Sequence, residues 1–143
     1  MSQLRLKFAK LSPEAYAGLG ACSAALEKSK LGLELIEMIY LRVSQINGCA
    51  FCLEKHSQFL RSSGVDQKKL DMLAGWRASE VFDARERAML AWVESVTHID
   101  ITCAPDEVFE PLTALFSETE ISDMTFAICL MNAYNRLAVS MRL

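Results

Sequence analysis

The chain has 143 residues, 52% of them hydrophobic, with only three prolines and six glycines, and a net charge of −3 from 15 basic and 18 acidic side chains. That is the length of one domain, able to bury about two-thirds of its unfolded surface without a disulfide or metal staple. The charges are mixed with no basic run, which excludes nucleic acid and anionic membranes as favoured partners, and the apolar excess points to a homo-oligomer interface. The best membrane candidate, "MTFAICLM" at 124–131, falls far short of the roughly 20 apolar residues of a span. The N-terminal "MSQLRLKFAKLSPEAY" has no signal-peptide apolar core, so a cytoplasmic protein is expected.

Helix signals recur along the chain and period-2 strand patterns do not. Ser12-Pro13-Glu14 gives a cap, a proline at the first helical position and an acid in the first turn, predicting a helix over about 14–29. "LELIEMIYLRVSQI" predicts a second over about 33–46, apolar almost all round and therefore central. Asn47-Gly48 is a tight turn. A third helix is expected over about 49–62, stopped by Gly64. Asp66 caps a short helix to about 74, and Asp83 with Glu86 forms a capping box for a helix over about 84–98. Pro105-Asp106 opens another, kinked or ended near Pro111, and a second capping box, Ser117 with Glu120, opens a long helix to about 140. The expected architecture is a single all-α domain over residues 1–143, a helical bundle with a helical hairpin at its centre.

Five cysteines are an odd count, which argues against a fully paired secreted framework. Cys22, Cys103 and Cys129 stand singly among apolar neighbours and are expected as small core hydrophobes. Met89, Trp92, Phe126 and Met131 recur at helical spacing and are expected in the core as well. His98 ends a predicted helix, where a cation suits the helix dipole, and reads as structural.

The hairpin carries the chemistry. On a wheel of 100° per residue, Cys49, Cys52, His56, Phe59 and Leu60 share one arc, while Glu54, Ser57, Gln58 and Arg61 fall opposite. The short turn folds the third helix back on the second. At 1.5 Å per residue, Glu37 then lies about 15 Å before the bend and His56 about 12 Å after it, nearly level. Cys52 sits one turn nearer the bend and Cys49 another, so carboxylate, imidazole, thiol and thiol form a descending series. A cysteine attacks as thiolate, a helix N-terminus favours that charge, and a histidine four residues on can take the thiol proton and later return it. An acid beside the imidazole would hold its tautomer. Glu37 in so apolar a helix must otherwise be paired, with Arg42 or Arg136 for instance.

Other readings of Cys-x-x-Cys-x-x-x-His stay open. Covalent haem attachment needs histidine directly after the second cysteine, where Leu53 stands. Zinc could take Cys49, Cys52, His56 and Glu37, but a structural site usually draws a second ligand pair from a distant loop, and none is visible. Two inert core thiols beside a satisfied histidine are the plainest alternative. No βαβ pattern supports a thioredoxin-like domain. A dithiol redox centre without metal or cofactor is the favoured reading.

"ELIEMIYLRVSQINGCAFCLEKHSQFLRSSGVD", with "ERAMLAWVESVTHI" and "NAYNRLAVSMR", resembles the alkylhydroperoxidase D-like branch of the carboxymuconolactone decarboxylase superfamily, over most of the chain from about residue 14. Glu37, Cys49, Cys52 and His56 match its most specific pattern position by position. The resemblance implies an all-helical, symmetric oligomer, often a trimer or hexamer, with the hairpin near subunit contacts. It implies reduction of organic hydroperoxides with thiol-derived electrons. Cys52 would be the peroxidatic cysteine, activated through Glu37 and His56 and oxidised to a sulfenic acid. Cys49 would condense with it to a disulfide that an external dithiol or thiol protein reduces. Phe51 stands where the best-known peroxidase of the family has a second histidine, which implies a shorter proton relay; Phe51 itself is expected to pack the hairpin. The decarboxylase branch is the nearest rival by fold, and its members do not rely on a cysteine pair. Asn132, Asn135 and Arg136 resemble the family's C-terminal signature. A redox sensor or electron carrier that cycles the same dithiol without peroxidase turnover is the alternative function.

Overall fold

The computed structural model describes residues 3–143. Helix α1 spans Phe8–Leu11, α2 Pro13–Leu26, α3 Leu33–Asn47, α4 Ala50–Ser62, α5 Gln67–Met72, α6 Ala84–Thr97, α7 Ile99–Thr102, α8 Asp106–Leu115 and α9 Glu118–Met141, with a 3₁₀ segment over Leu73–Ala78. Among the described residues there is no strand, and the fold is all-α as the sequence predicts.

Helix α3 is the axis of the bundle. It packs most extensively on α4 and α9 and next on α6, and Ile36, Met38, Ile39, Tyr40, Leu41, Val43 and Ser44 are all buried along it. Both capping boxes form: the Asp83 carboxylate accepts from Glu86 N at 2.9 Å, and the Ser117 hydroxyl accepts from Glu120 N at 3.2 Å. Each glutamate reaches back to the backbone N–H of its cap residue. The caps fix where α6 and α9 begin, and burial of Met89, Leu90, Met124 and Ile128 fixes how they face α3.

Several expectations shift. Helix α2 ends at Leu26 rather than 29, because the Ser29 hydroxyl donates to Asp123 on α9 at 2.6 Å and the backbone tightens into turns over 25–32. The helix after Asp66 loosens into the 3₁₀ segment at Leu73, with Gly75 outside helical geometry. Helix α8 runs through Pro111 to Leu115. Cys22 is only half-buried, and Cys103 and Cys129 are exposed. Cys103 sits in a left-handed turn after α7, while Cys129 belongs to the outward stripe of α9 with Ser122, Phe126 and Arg136. Phe126, expected in the core, is 60% exposed for the same reason. Met89, Trp92 and Met131 are buried as expected. Of α2, only Leu26 is buried; its alanine-rich sequence leaves an apolar surface facing outward.

Two substitutions measure how far the axis and its caps hold the bundle. Ile39→Ala should lower the unfolding free energy by about 3 kcal/mol, from lost transfer energy and the cavity left behind, and Asp83→Ala by about 1 kcal/mol from the lost cap. Urea denaturation reads both. An Ile39→Ala protein as stable as wild type would contradict the placement of α3 at the centre.

Candidate active site

The α3–α4 turn closes through one carbonyl. Ser44 O accepts from the N–H of Gly48 and from that of Cys49 at 3.1 Å, the pairing that ends a helix in a left-handed residue. Gly48 is that residue, at φ +65°, a conformation a Cβ would strain. Cys49 is thereby set as the N-cap of α4, with Cys52 in its first turn. Side chains from α9 pin the bend: Asn47 Nδ2 donates to Asn132 Oδ1 and to Asn135 Oδ1, each at 3.0 Å, and Asn135 Nδ2 donates to Ser44 Oγ at 3.1 Å.

The level placement of Glu37 and His56 is met. Glu37 Oε2 lies 2.6 Å from His56 Nδ1, with the side chains 12% and 5% exposed. A carboxylate on Nδ1 fixes the ring orientation and leaves Nε2 as the working nitrogen. Neither arginine suggested as a partner reaches Glu37. Arg42 pairs with Glu94 on α6 at 2.8 Å, and Arg136 binds Asn132 O and Oδ1 on its own helix. His98 caps the end of α6 and is exposed.

Cys49 and Cys52 are both buried and reduced. The two thiols lie close together, with Asn135 and Ser44 near the Cys52 sulfur. Burial, followed by the Cys49 contact, pushes the Cys52 thiol up to about 12. Asn135 and Ser44 pull the other way and are outweighed. This reverses the expectation of a thiolate favoured by the helix N-terminus: desolvation in the apolar bundle dominates, so the resting Cys52 is a neutral thiol. Among the described residues His56 makes no hydrogen bond to Cys52, so the series from carboxylate to thiol is interrupted at that step. His56 bonds to Glu37 alone, and among these residues no three His, Cys, Asp or Glu side chains converge on a metal-binding point.

Cys52, His56 and Glu37 share a cavity of about 310 Å³ between α2, α3, α4 and α9. Phe51, Phe59, Met131 and Tyr134 contribute its apolar wall. A second, more open depression of about 480 Å³ that Phe51 and Phe59 also border includes Glu37 and His56 without the cysteines. Phe51, expected to pack the hairpin, is 47% exposed and borders both. Two contributors, Tyr40 and Ser44, went unsingled in the sequence. They fall at i+3 and i+7 from Glu37 on one face of α3, a polar stripe in a buried helix, and Tyr40 lies against His56 with ring centroids 5.2 Å apart. Asn135 was visible only as part of a C-terminal pattern, with no link to Cys52.

Comparison with known proteins agrees with this fold. The protein YdfG of Bacillus subtilis, itself uncharacterised, is 28% identical over 141 residues, covering 99% of this chain and 95% of its own. A protein of unknown function from Agrobacterium tumefaciens, suggested to be the antioxidant defence protein AhpD, is 42% identical and superimposes with a TM-score of 0.93 over 98% of this chain and 96% of that one. An uncharacterised peroxidase-related protein from Silicibacter is 27% identical with a TM-score of 0.81, over 92% of this chain and 70% of its own. The sequence profile of the carboxymuconolactone decarboxylase family matches residues 13–95, the segment that contains the whole hairpin. The chain therefore belongs to the carboxymuconolactone decarboxylase family, in its alkylhydroperoxidase D-like branch.

Proposed function

We propose that the protein is a thiol-dependent peroxidase that reduces organic hydroperoxides through a dithiol–disulfide cycle of Cys52 and Cys49. The observation that supports this reading is a pair of neighbouring buried thiols, of which Cys52 lines one cavity with a carboxylate–imidazole pair. Cys52 turns from Ser44 and Asn135 toward the cavity and gives its proton to His56 Nε2, while Glu37 stabilises the imidazolium. The thiolate attacks the terminal oxygen of the hydroperoxide. The S–O bond forms, the O–O bond breaks, and the leaving alkoxide takes the proton back from His56. Sulfur loses two electrons and becomes a sulfenic acid, and the peroxide becomes an alcohol. Cys49, one helical turn away, then attacks that sulfur, releases water and closes the disulfide. An external dithiol or thiol protein restores both thiols by exchange.

The exposed apolar face of α2 supports a homo-oligomer as the working form. The high pKa of Cys52 favours one second reading, an electron carrier that cycles the same dithiol once per reductant without sustained peroxide turnover.

Steady-state consumption of cumene hydroperoxide with dithiothreitol separates the two. Turnover many times per site is expected, abolished in Cys52→Ser and lowered about 10²–10³-fold in His56→Gln, the range of a general acid–base. Cys49→Ser should react once and leave a sulfenic acid that dimedone traps. Full activity in Cys52→Ser would overturn the assignment, and a single turnover in wild type would favour the carrier.

The protonated thiol has its own signature. Because the thiolate fraction of Cys52 grows as pH rises toward its pKa, alkylation of its peptide by iodoacetamide should rise about tenfold per pH unit from 7 to 10, with no plateau. Cys49→Ala removes one of the raising influences and should move the whole profile to lower pH. A wild-type plateau below pH 8 would contradict the protonated resting state.

A further inference from the structure

The His56 imidazole meets two groups that stand one turn apart on α3. The Glu37 carboxylate lies 2.6 Å from Nδ1. The Tyr40 ring packs beside the imidazole, with centroids 5.2 Å apart and planes tilted by 54°, inside the range over which aromatic pairs attract. Three residues of helix separate the two groups by about 4.5 Å along the axis, so they reach the imidazole at different levels. Tyr40 and His56 are both buried.

One bond leaves the imidazole a degree of freedom. With Nδ1 fixed on the carboxylate, the ring can still pivot about that contact and sweep Nε2 through an arc. Nε2 is the nitrogen left free for proton transfer, and a misplacement of about 1 Å at such a group can cost ~10²-fold in rate. A rigid ring packed beside the imidazole blocks the pivot. The Tyr40 hydroxyl has no part in this. It is buried and, among the described residues, has no hydrogen-bond partner. Burial, followed by the Glu37 carboxylate, pushes its pKa upward, so it stays a neutral phenol and does not rival Glu37 for the imidazole. What position 40 supplies to the site is a ring.

We propose that Tyr40 is a positioning residue: its aromatic ring, together with the Glu37 carboxylate, locks the His56 imidazole with Nε2 toward the cavity that His56 shares with Cys52. Tyr40 transfers no proton and acts only through His56. What the ring holds rests on the packing geometry, and what that does for turnover rests on the peroxidase reading.

Tyr40→Phe keeps the ring and removes only the unpartnered hydroxyl, so its thermal unfolding temperature should equal or exceed that of wild type, with turnover of cumene hydroperoxide within about twofold. Tyr40→Leu keeps an apolar side chain without the ring and should lower turnover about tenfold. In a His56→Gln background the same substitution should cost nothing further, whereas a general packing loss would lower turnover in both backgrounds. The proton between His56 and Glu37 should give a far-downfield NMR resonance, assigned by its absence in His56→Gln. It should persist in Tyr40→Phe and broaden or vanish in Tyr40→Leu. If Tyr40→Leu does not fold, Tyr40→Met, which fills the gap with a flexible chain, carries the same expectations. An unchanged resonance and full turnover in the folded Leu or Met variant would overturn the proposal. So would a Tyr40→Phe protein that loses both, or an undiminished further loss in the double variant. A wild type that turns over no hydroperoxide contradicts the peroxidase reading, and the resonance then decides by itself whether the ring holds His56.

Discussion

A carboxylate and an imidazole meet at 2.6 Å inside an apolar bundle because a two-residue turn brings two helices back on each other in a single register. That register depends on Gly48, whose positive φ lets the Ser44 carbonyl collect two N–H groups and end α3 at once. A residue with a Cβ would strain this conformation, and a turn of different length would rotate α4 on its own axis. Either change would move His56 away from Glu37 and Cys52 away from the cavity they share. The asparagines at 47, 132 and 135 tie the bend to α9, so the longest helix acts as a backing plate for the shortest distance in the site.

The same burial that orders the site opposes its chemistry. Enclosed among Ile, Leu and Met side chains, with Cys49 beside it, Cys52 keeps its proton far above neutral pH. A free surface thiol would be more ionised at pH 7 yet open to every oxidant in solution. Burial makes reaction conditional on a base, and in the proposed cycle the Glu37–His56 pair, which lines the same cavity, is that base. In the proposed cycle Cys49 has two opposed effects: it raises the pKa of Cys52 before oxidation and would be the attacking thiol afterwards. Phe51 leaves His56 as the imidazole of the hairpin, so in the proposed cycle the proton transfer falls on one ring, and the bond that orients that ring matters more.

Much of the architecture was legible before any coordinates. Asp83 with Glu86 and Ser117 with Glu120 announced their helix starts because capping is local chemistry. Glu37 and His56 could be paired because a tight turn and a rise of about 1.5 Å per residue leave little freedom. What escaped the sequence was the outside of the molecule. Phe126, Cys103 and Cys129 look like core residues in any local window, and only the packing of α9 and the turn after α7 expose them. The ionisation of Cys52 also escaped, since it is set first by burial within the bundle, which no local window of sequence displays. Arg42 illustrates the same limit: its partner, Glu94, lies on another helix altogether.

The most direct test of the account is a thiol count with intact mass, before and after one equivalent of cumene hydroperoxide. Five free thiols are expected in the reduced protein. The account predicts the loss of two thiols and of two mass units, reversed by dithiothreitol, with the bond mapped to the peptide containing Cys49 and Cys52. Five thiols still free after treatment, or a bond involving Cys22, Cys103 or Cys129 instead, would contradict it.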